Sequence, residues 1–437
     1  MNWGKSVIQL IVKSTEIDYS HPLNIHGTTT KMGTGFFITN NIILTCYHVV
    51  KYAVNIEILY EQTNNITGTI LHIFPHDDIA IIQLDKDIDD AIILERFVIK
   101  NNEQNTREVL AVGFPLGSKN IVVTSGFISS YHESLFQVDA TLNPGNSGGP
   151  LLIKDGDKYK IIGVNVSKII EGGERTGFVV PIYRCIIMED KLKGIILKKP
   201  LIYLDYQELI QDKFREEYFG KNNNTFSKKM NGIRVTMINS NYYINKYLNV
   251  DDIILSINNN IVDYNGYITF DFFPGPIPFN DIGLWFTEGD ILEFKIYKPS
   301  DKSIRIEKVK LEIINTNAMD FYNINSLPTY FVENNGLILS VITKDHLKRL
   351  KDLNLSIIQC VKILSRFINQ IDQFTVYLSD INYMKILSTQ KFIKFPVGDI
   401  IIEINDIKFN SYEEFIKIVN TMKILKIKTI NNDIYYL

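Results

Sequence analysis

The amino-acid sequence predicts a mostly β protein built from two or three domains. Between residues 35 and 182, short runs of β-branched and aromatic residues alternate with turn residues, a pattern typical of a barrel or a sandwich. Farther along, the pattern at residues 250–258 occurs again at 397–405, and such a repeat predicts two similar modules. The 437 residues are enough for this division and for a sizeable core.

The first part of the chain carries a series of predicted strands separated by turn residues. They are residues 36–39, 42–45, 56–60, 66–74, 79–84, 109–113, 121–130, 151–154, 159–166 and 177–181. Residues 14–34 contain Ser, Thr, His and Gly and predict a loop. Residues 183–193 have helical spacing and predict a helix that closes this part, with Gly194 near its end.

The repeat organises the C-terminal half. In each copy, apolar residues predict a strand, and Asn258 or Asn405 stands at the following turn. The second copy is followed by residues 411–419, which predict an amphipathic helix with Ser411 as its N-cap. The first copy is followed by residues 272–279, whose prolines exclude a helix interior.

Composition and charge exclude several classes of protein. A formal net charge of −3 argues against a general nucleic-acid binder, which would be markedly basic. No run of about 18 apolar residues predicts a membrane span, and the N-terminal residues do not resemble a signal peptide. The three scattered cysteines, Cys46, Cys185 and Cys360, favour a reducing compartment without a disulfide framework. We therefore expect an intracellular protein, cytoplasmic or nuclear, without membrane or nucleic-acid partners.

A glycine-rich stretch, residues 141–150, presents a single serine, Ser147. Gly145, Gly148 and Gly149 permit backbone conformations that other residues resist, and they predict a tight loop. Successive N–H groups of such a loop can converge on an anion, and a hydroxyl beside an anion hole is suited to acyl transfer. Taken alone, the stretch also fits a glycine-rich turn between two strands.

A serine nucleophile needs a base and an acid that orients the base. His48 follows the apolar run 41–44, and Asp78 stands directly before the apolar run 79–84. The order His, Asp, Ser is that of the chymotrypsin-like double barrels. Taken singly, His48 also fits a structural histidine and Asp78 a turn residue at a strand start. The three together favour a catalytic triad.

These motifs resemble those of the HtrA/Deg serine proteases, which are trypsin-like domains followed by PDZ modules. The matching stretches occur in the family's order at residues 33–38, 44–50, 78–80, 111–117, 124–126, 137–140, 143–150, 162–165 and 177–182. The C-terminal half is most similar to the plant and fungal Deg branch. The resemblance implies a chymotrypsin-like double β-barrel at residues 1–197, a PDZ-like α+β module at 198–315 and a divergent PDZ-like module at 316–437.

The resemblance also implies a role for each matching residue. Ser147 would be the nucleophile, His48 the general base and Asp78 the residue that orients the imidazole. The backbone N–H groups of Gly145 and Ser147, with that of Asn146, would form the oxyanion hole. The implied activity is that of a serine endopeptidase that hydrolyses unfolded or damaged proteins in protein quality control. The alternative is a non-proteolytic holdase or scaffold that uses the protease fold and the PDZ modules to bind proteins.

Specificity and partners follow from the same resemblance. Thr141, six residues before Ser147, would lie at the base of the primary specificity pocket, to which Asn165 would also contribute. A hydroxyl without an acidic group there favours small or medium aliphatic side chains over Lys or Arg. Polypeptides would be the substrates, and the family implies a homo-oligomer, a trimer or a multiple of trimers. Neither a metal nor another cofactor is implied by any Cys/His cluster or phosphate-binding loop.

Two departures from the family bear on regulation. Asp205 replaces a glycine in the segment 203–206, which aligns with the carboxylate-binding loop of the first PDZ-like module. This charge disfavours the C-terminal peptides that PDZ modules bind. The segment 129–134, which takes the place of a long sensor loop, is short enough for a plain hairpin. We therefore expect the loop not to reach the first module and the modules to influence proteolysis little.

Overall fold

The structure, a computed structural model, describes residues 3–15, 27–61, 63–100, 108–132, 134–169, 175–188, 197–219, 231–238, 242–313, 330–332, 337–342, 355–369, 376–381 and 398–436. The chain divides into two compact units. The first comprises Met1–Val12, Lys31–Val50 and Asn55–Ile314. The second comprises Lys13–Thr30, Lys51–Val54 and Asn315–Leu437. The domain boundaries drawn from the sequence stay predictions.

Six N-terminal strands close into the first barrel. They are β1 (Val7–Ser14), β2 (Thr29–Phe37), β3 (Ile42–Cys46), β4 (Ala53–Tyr60), β5 (Thr63–Phe74) and β6 (Ile79–Leu84). Their order around the barrel is β1-β2-β3-β6-β5-β4. A 3₁₀ helix, Trp3–Lys5, precedes β1, and a one-turn helix, α1 (Tyr47–Val50), follows β3. Large apolar side chains such as Ile8 and Phe37 are fully buried in this barrel.

Six further strands close into the second barrel. They are β7 (Glu108–Gly113), β8 (Val122–His132), β9 (Leu135–Val138), β10 (Pro150–Asp155), β11 (Lys158–Ile169) and β12 (Arg175–Pro181). Their order is β10-β11-β12-β9-β8-β7. The 3₁₀ turn Pro115–Gly117 follows β7, and helix α2 (Tyr183–Ile186) follows β12. The predicted double barrel is thereby confirmed.

Two boundaries differ most from the prediction. Strand β2 begins at Thr29, inside the predicted loop 14–34. Its first residues are small and polar, so their pattern does not predict a strand, but closure of the barrel gives their backbone groups hydrogen-bond partners. Helix α2 ends at Ile186, earlier than the predicted residue 193. Gly194, proposed as the end of that helix, lies outside the described residues.

The rest of the first unit is built on an antiparallel sheet, with β17 and β18 as a separate pair. Its strands are β13 (Asp205–Glu208), β14 (Ile233–Met237), β15 (Ile253–Ile257), β16 (Asn260–Ile261), β17 (Tyr267–Ile268), β18 (Ile277–Pro278), β19 (Ile291–Lys298) and β20 (Ser303–Lys310). The order is β13-β14-β15-β19-β20, and β16 pairs with β15. Helix α3 (Asp212–Phe219) and the 3₁₀ helices Tyr243–Lys246 and Phe279–Trp285 complete this part, the first module.

The described residues of the second unit form a sheet and two helices. The strands are β21 (Tyr330–Val332), β22 (Leu337–Val341), β23 (Val376–Ile381), β24 (Ile400–Ile404), β25 (Ile407–Lys408), β26 (Lys426–Thr429) and β27 (Ile434–Tyr436). The order is β21-β22-β23-β24-β26-β27, with β25 paired to β24, and the helices are α4 (Ile357–Asn369) and α5 (Tyr412–Thr421). The predicted helix and its cap are confirmed, since the Ser411 side chain accepts a hydrogen bond from Glu414 N at 3.2 Å.

The internal repeat corresponds to the same local structure in both copies. Residues 258–259 and 405–406 all have positive φ angles, between 48° and 64°, which is the conformation of a tight type I′ hairpin turn. The side-chain oxygens of Asn258 and Asn405 each accept a hydrogen bond, at 2.8 Å, from the backbone near the start of β19 or of β26. The two modules therefore share a strand–turn–strand unit. Their identity as PDZ modules stays a prediction.

An aromatic segment, residues 270–286, joins the first module to the second barrel. The ring of Phe273 lies 5.4 Å from that of Tyr131 and 5.8 Å from that of Phe136, measured between centroids. Phe272 stacks on Tyr183 at 5.3 Å. The aromatic segment therefore packs directly against the second barrel.

This packing overturns one expectation. The segment 129–134 is part of the plain hairpin of β8 and β9, as predicted, although residue 133 lies outside the described residues. The expectation that so short a hairpin does not reach the first module is wrong. Tyr131 contacts Phe273, and Ser134 Oγ donates a hydrogen bond to Asp281 at 3.0 Å. The hairpin needs no extra length because the aromatic segment lies against it.

Candidate active site

His48 and Asp78 meet because their strands are neighbours in the first barrel. Strand β3 pairs with β6, with Cys46 opposite Ile79, so the residues just beyond these two lie side by side. His48 Nδ1 lies 2.5 Å from Asp78 Oδ2, and the backbone N–H of His48 donates to Asp78 Oδ1 at 2.8 Å. Both carboxylate oxygens thus bind the same residue, which fixes the plane of the imidazole.

The backbone of Asp78 is held in an uncommon conformation. Its φ is +55°, in the left-handed region that Asp tolerates better than most residues. Its carbonyl oxygen accepts a hydrogen bond from Tyr47 N at 2.8 Å, which ties the turn to α1. Positive φ angles outside glycine concentrate where the surrounding structure dictates them, often at functional sites.

The Ser147 loop belongs to the second barrel but is anchored on the first through Thr34. Thr34 N donates to Ser147 O at 2.9 Å, and Thr34 Oγ1 donates to Gly145 O at 2.6 Å. Gly148, at φ +85°, packs so closely that an added Cβ would lie 2.2 Å from Thr34 O and 2.9 Å from Cys46 N. Ser147 therefore lies beside the end of β3, where His48 begins its turn.

The structure thus joins His48 and Asp78 directly and brings the Ser147 loop against the end of β3, which leads into His48. A hydrogen bond between Ser147 Oγ and His48 is not among the contacts of these described residues, and this third link of the triad stays a prediction. Catalytic hydrogen bonds are often long before substrate binds. Ser147 is 5% exposed, whereas the His48 side chain is 44% exposed.

The backbone N–H groups of the loop fall into two sets. Asn146 N donates to Asn143 O at 2.9 Å, and Gly148 N donates to Asn165 O at 2.9 Å. Within the described part of the chain, the N–H groups of Gly145 and Ser147 have no such acceptor. Two unengaged donors two residues apart are the arrangement that an oxyanion hole requires. Asn146 N, proposed as a further donor, is engaged in its own turn.

Cys46 is an inert neighbour of the pair. It is fully buried, its thiol donates to Asn165 O at 3.3 Å, and burial raises its pKa well above the usual range. Cys46, His48 and Asp78 have possible metal-ligand atoms within 4.8 Å of one another, among the residues described. However, 2.5 Å between His48 Nδ1 and Asp78 Oδ2 is a hydrogen-bond distance, too short for two ligands of one zinc ion. The arrangement therefore fits a proton-sharing pair.

The two residues predicted for the specificity pocket lie in different surroundings. Thr141 is exposed and lines a cavity of about 330 Å³, together with Leu142, Asn143 and Gly177. Asn165 is fully buried, and its side-chain amide donates to Pro150 O at 3.1 Å. Asn165 therefore braces the Ser147 loop from inside. The role of either residue in specificity stays a prediction.

Sequence analysis missed a buried charge cluster next to Asp78. Asp77 forms an ion pair with Arg184, and Lys199 Nζ lies 3.9 Å from Asp77 Oδ2. All three side chains are 2% exposed or less. Two signals were available: a second acid directly before Asp78, and one arginine in the apolar segment 182–188. A buried charge of this kind requires a partner.

Comparison with known proteins agrees with this geometry. Residues 33–164 match the sequence family of the trypsin-like peptidase domain. This part of the chain therefore resembles the trypsin-like peptidase domain of the HtrA/Deg proteases. The chain is 27% identical over 301 residues to the serine protease Do-like HtrA of Bacillus subtilis, covering 64% of this chain and 61% of that protein. It is 26% identical over 253 residues to protease Do-like 4, mitochondrial, of Arabidopsis thaliana, covering 54% and 46%.

A solved structure supports the same fold. The HtrA-type protease AlgW with tripeptide aligns with a TM-score of 0.51 and 19% identity, over 71% of this chain and 95% of that chain. The chain spans about half the length of the curated relatives it matches, 61% and 46% for the two named above. The resemblance to HtrA/Deg proteases is thereby confirmed, and the plant Do-like proteases are among the relatives. No helix of the described residues is long and apolar enough to cross a membrane.

Proposed function

We propose that this protein is a serine endopeptidase that hydrolyses peptide bonds of unfolded or damaged polypeptides. One observation carries the proposal. The His48–Asp78 pair, 2.5 Å apart, follows directly on strand β3, whose end packs against the loop that carries Ser147, and this loop leaves the N–H groups of Gly145 and Ser147 unengaged. A base, an orienting acid, a hydroxyl and two donors are the components of acyl transfer.

In the proposed mechanism, Ser147 Oγ attacks the peptide carbonyl while His48 Nε2 accepts its proton. Asp78 keeps the proton of His48 on Nδ1 and stabilises the imidazolium that forms. The negative charge that develops on the carbonyl oxygen is bound by the N–H groups of Gly145 and Ser147. His48 then protonates the leaving amine, and water repeats the sequence to release the acid product and regenerate Ser147.

Substrate preference and assembly are part of the proposal. At the predicted base of the specificity pocket Thr141 offers a hydroxyl in place of an acid, which favours small or medium aliphatic side chains before the scissile bond. Asp139 also lines this cavity, and its Oδ1 accepts a hydrogen bond from Phe127 N. From the resemblance to the HtrA/Deg family we further propose a role in protein quality control and a homo-oligomer, a trimer or a multiple of trimers. Light scattering of the purified protein tests the assembly, and a monomer would contradict it.

The location inside the cell, cytoplasmic or nuclear, also stays a proposal. Its support is the odd number of cysteines, of which Cys46 and Cys185 are buried and unpaired. Relatives in Arabidopsis thaliana are named mitochondrial, so the fractionation of cells that express a tagged protein must separate mitochondria from cytosol and nuclei. Recovery in the mitochondrial fraction would contradict the proposal.

A fluorophosphonate probe tests the activity most directly, because it reacts only with an activated serine. We expect the probe to label Ser147 and the protein to cleave unfolded casein, and the Ser147→Ala variant to lose both. Removing the nucleophile lowers turnover by about a million-fold. If the folded parent protein were not labelled yet suppressed aggregation of an unfolded client, it would be a holdase. Circular dichroism of both proteins serves as the control for folding.

A further inference from the structure

The buried pair of Asp77 and Arg184 is close enough to the catalytic carboxylate to determine its position. Asp77 directly precedes Asp78, whose carboxylate binds His48 through both oxygens. Asp77 N donates to Phe74 O at 3.1 Å, and its side chain is paired with Arg184. The turn between β5 and β6 is therefore fixed on one side by Arg184 and on the other by His48.

Arg184 is held in turn from several directions. Its Nη1 donates to Ser134 O at 3.4 Å, and the backbone carbonyl of Arg184 accepts from Lys199 Nζ at 3.1 Å. Its guanidinium carbon lies 5.8 Å from the ring centroid of Trp285, within the range of a cation–π interaction. Burial lowers the pKa of Lys199 to about 8, so Lys199 loses its charge above that pH, whereas a guanidinium stays protonated.

Trp285 belongs to the first module, so the module completes the surroundings of Arg184. Trp285 is 1% exposed and packs on Phe273 at 4.6 Å between centroids, and Phe273 contacts the second barrel. In addition, Gly283 leaves no room for a side chain against Pro200, where an added Cβ would lie 2.5 Å from the carbonyl oxygen. The aromatic segment is thus closely packed against the region that carries Arg184.

We propose that Arg184 is a positioning residue for the triad, acting through Asp77 on Asp78, and that Trp285 of the first module holds Arg184 in place. The inference rests on the proposed function. An interaction that aligns the carboxylate with His48 affects the chemical step rather than substrate binding. Removing the guanidinium would leave the Asp77 charge buried without its partner and let the turn shift, and small displacements of catalytic groups reduce rates strongly.

The test compares Arg184→Met, Arg184→Lys and Trp285→Leu in the full chain. Arg215→Met is the matched control. Arg215 also lies over an aromatic ring of the first module, that of Tyr264, at 5.2 Å from its centroid, but Arg215 forms no ion pair with Asp77 among the described residues. Active sites are first counted with the fluorophosphonate probe, and a reporter peptide then gives kcat and KM per active site. We expect Arg184→Met to lower kcat about 10- to 100-fold with little change in KM. Arg184→Lys should restore part of the loss, and Trp285→Leu should lower kcat in the same direction.

A second measurement separates positioning from a general loss of stability. The Nδ1 proton of His48, in a 2.5 Å hydrogen bond with Asp78, should give a far-downfield proton NMR signal in the parent protein. That signal should shift or broaden in Trp285→Leu and Arg184→Lys and stay unchanged in Arg215→Met. Parent-like kcat and an unchanged signal in folded Arg184 and Trp285 variants would overturn the inference. An unlabelled parent protein would instead contradict the proposed function itself.

Discussion

Replacing Gly148 by alanine tests the packing of the Ser147 loop most sharply. Gly148 has φ +85°, and an added Cβ would lie 2.2 Å from both Thr34 O and Thr45 Oγ1. A left-handed conformation costs an alanine about 1–2 kcal/mol, and overpacking costs about 1–3 kcal/mol more. We therefore expect Gly148→Ala to lower the free energy of unfolding by about 2–5 kcal/mol.

Gly156 provides the matched control. It lies in the turn between β10 and β11 at φ +62°, with no atom within 4 Å of an added Cβ. Gly156→Ala carries the backbone penalty alone, about 1–2 kcal/mol. Urea denaturation of both variants in a Ser147→Ala background avoids self-cleavage and isolates the effect of the overlap. Equal stabilities for the two variants, within about 0.5 kcal/mol, would refute the packing argument.

Three further predictions follow from the site. Asp78→Asn should lower kcat by about 10⁴-fold, because an amide favours the wrong tautomer of His48, and a loss below about tenfold in a reporter assay would contradict the pairing. Cleavage-site profiling by mass spectrometry should show aliphatic residues before the scissile bond, and a preference for Lys or Arg would exclude the assignment of Thr141. Burial lowers the pKa of Lys199 from 10.5 to about 8, so the unfolded chain binds more protons between these values and stability rises with pH there. Urea denaturation should therefore show the parent gaining about 1 kcal/mol of stability relative to Lys199→Met for each pH unit from 8 to 10, and a difference that does not change with pH would refute this.

The barrels and the motifs of the site were predictable because their signals are local. Each barrel strand is a short apolar run between turn residues, and His48, Asp78 and Ser147 each stand at the edge of such a run. The repeat at Asn258 and Asn405 was also readable, since the same residues recur at the same spacing. Local patterns suffice where a strand or a turn is set by its own residues.

The interactions between distant parts of the chain were not predictable in the same way. Arg184 and Asp77 are 107 residues apart, and Trp285 lies farther still along the chain. Neither periodicity nor turn chemistry indicates which buried charge will pair with which. The expectation about the short β8–β9 hairpin failed for this reason, because it considered the length of the loop and not the approach of Phe273.

The origin of Trp285 in the first module has a consequence for protein synthesis. A nascent chain synthesised as far as residue 186 already contains the strands of both barrels and the three residues of the proposed triad. Trp285, which packs over Arg184, has not yet been synthesised. At about 5–20 residues per second, the ribosome needs about 5–20 s to add the next hundred residues. During that interval the unfinished chain lacks the contact that we infer to align Asp78. The order of synthesis would thus delay the proposed proteolytic activity until the module has emerged.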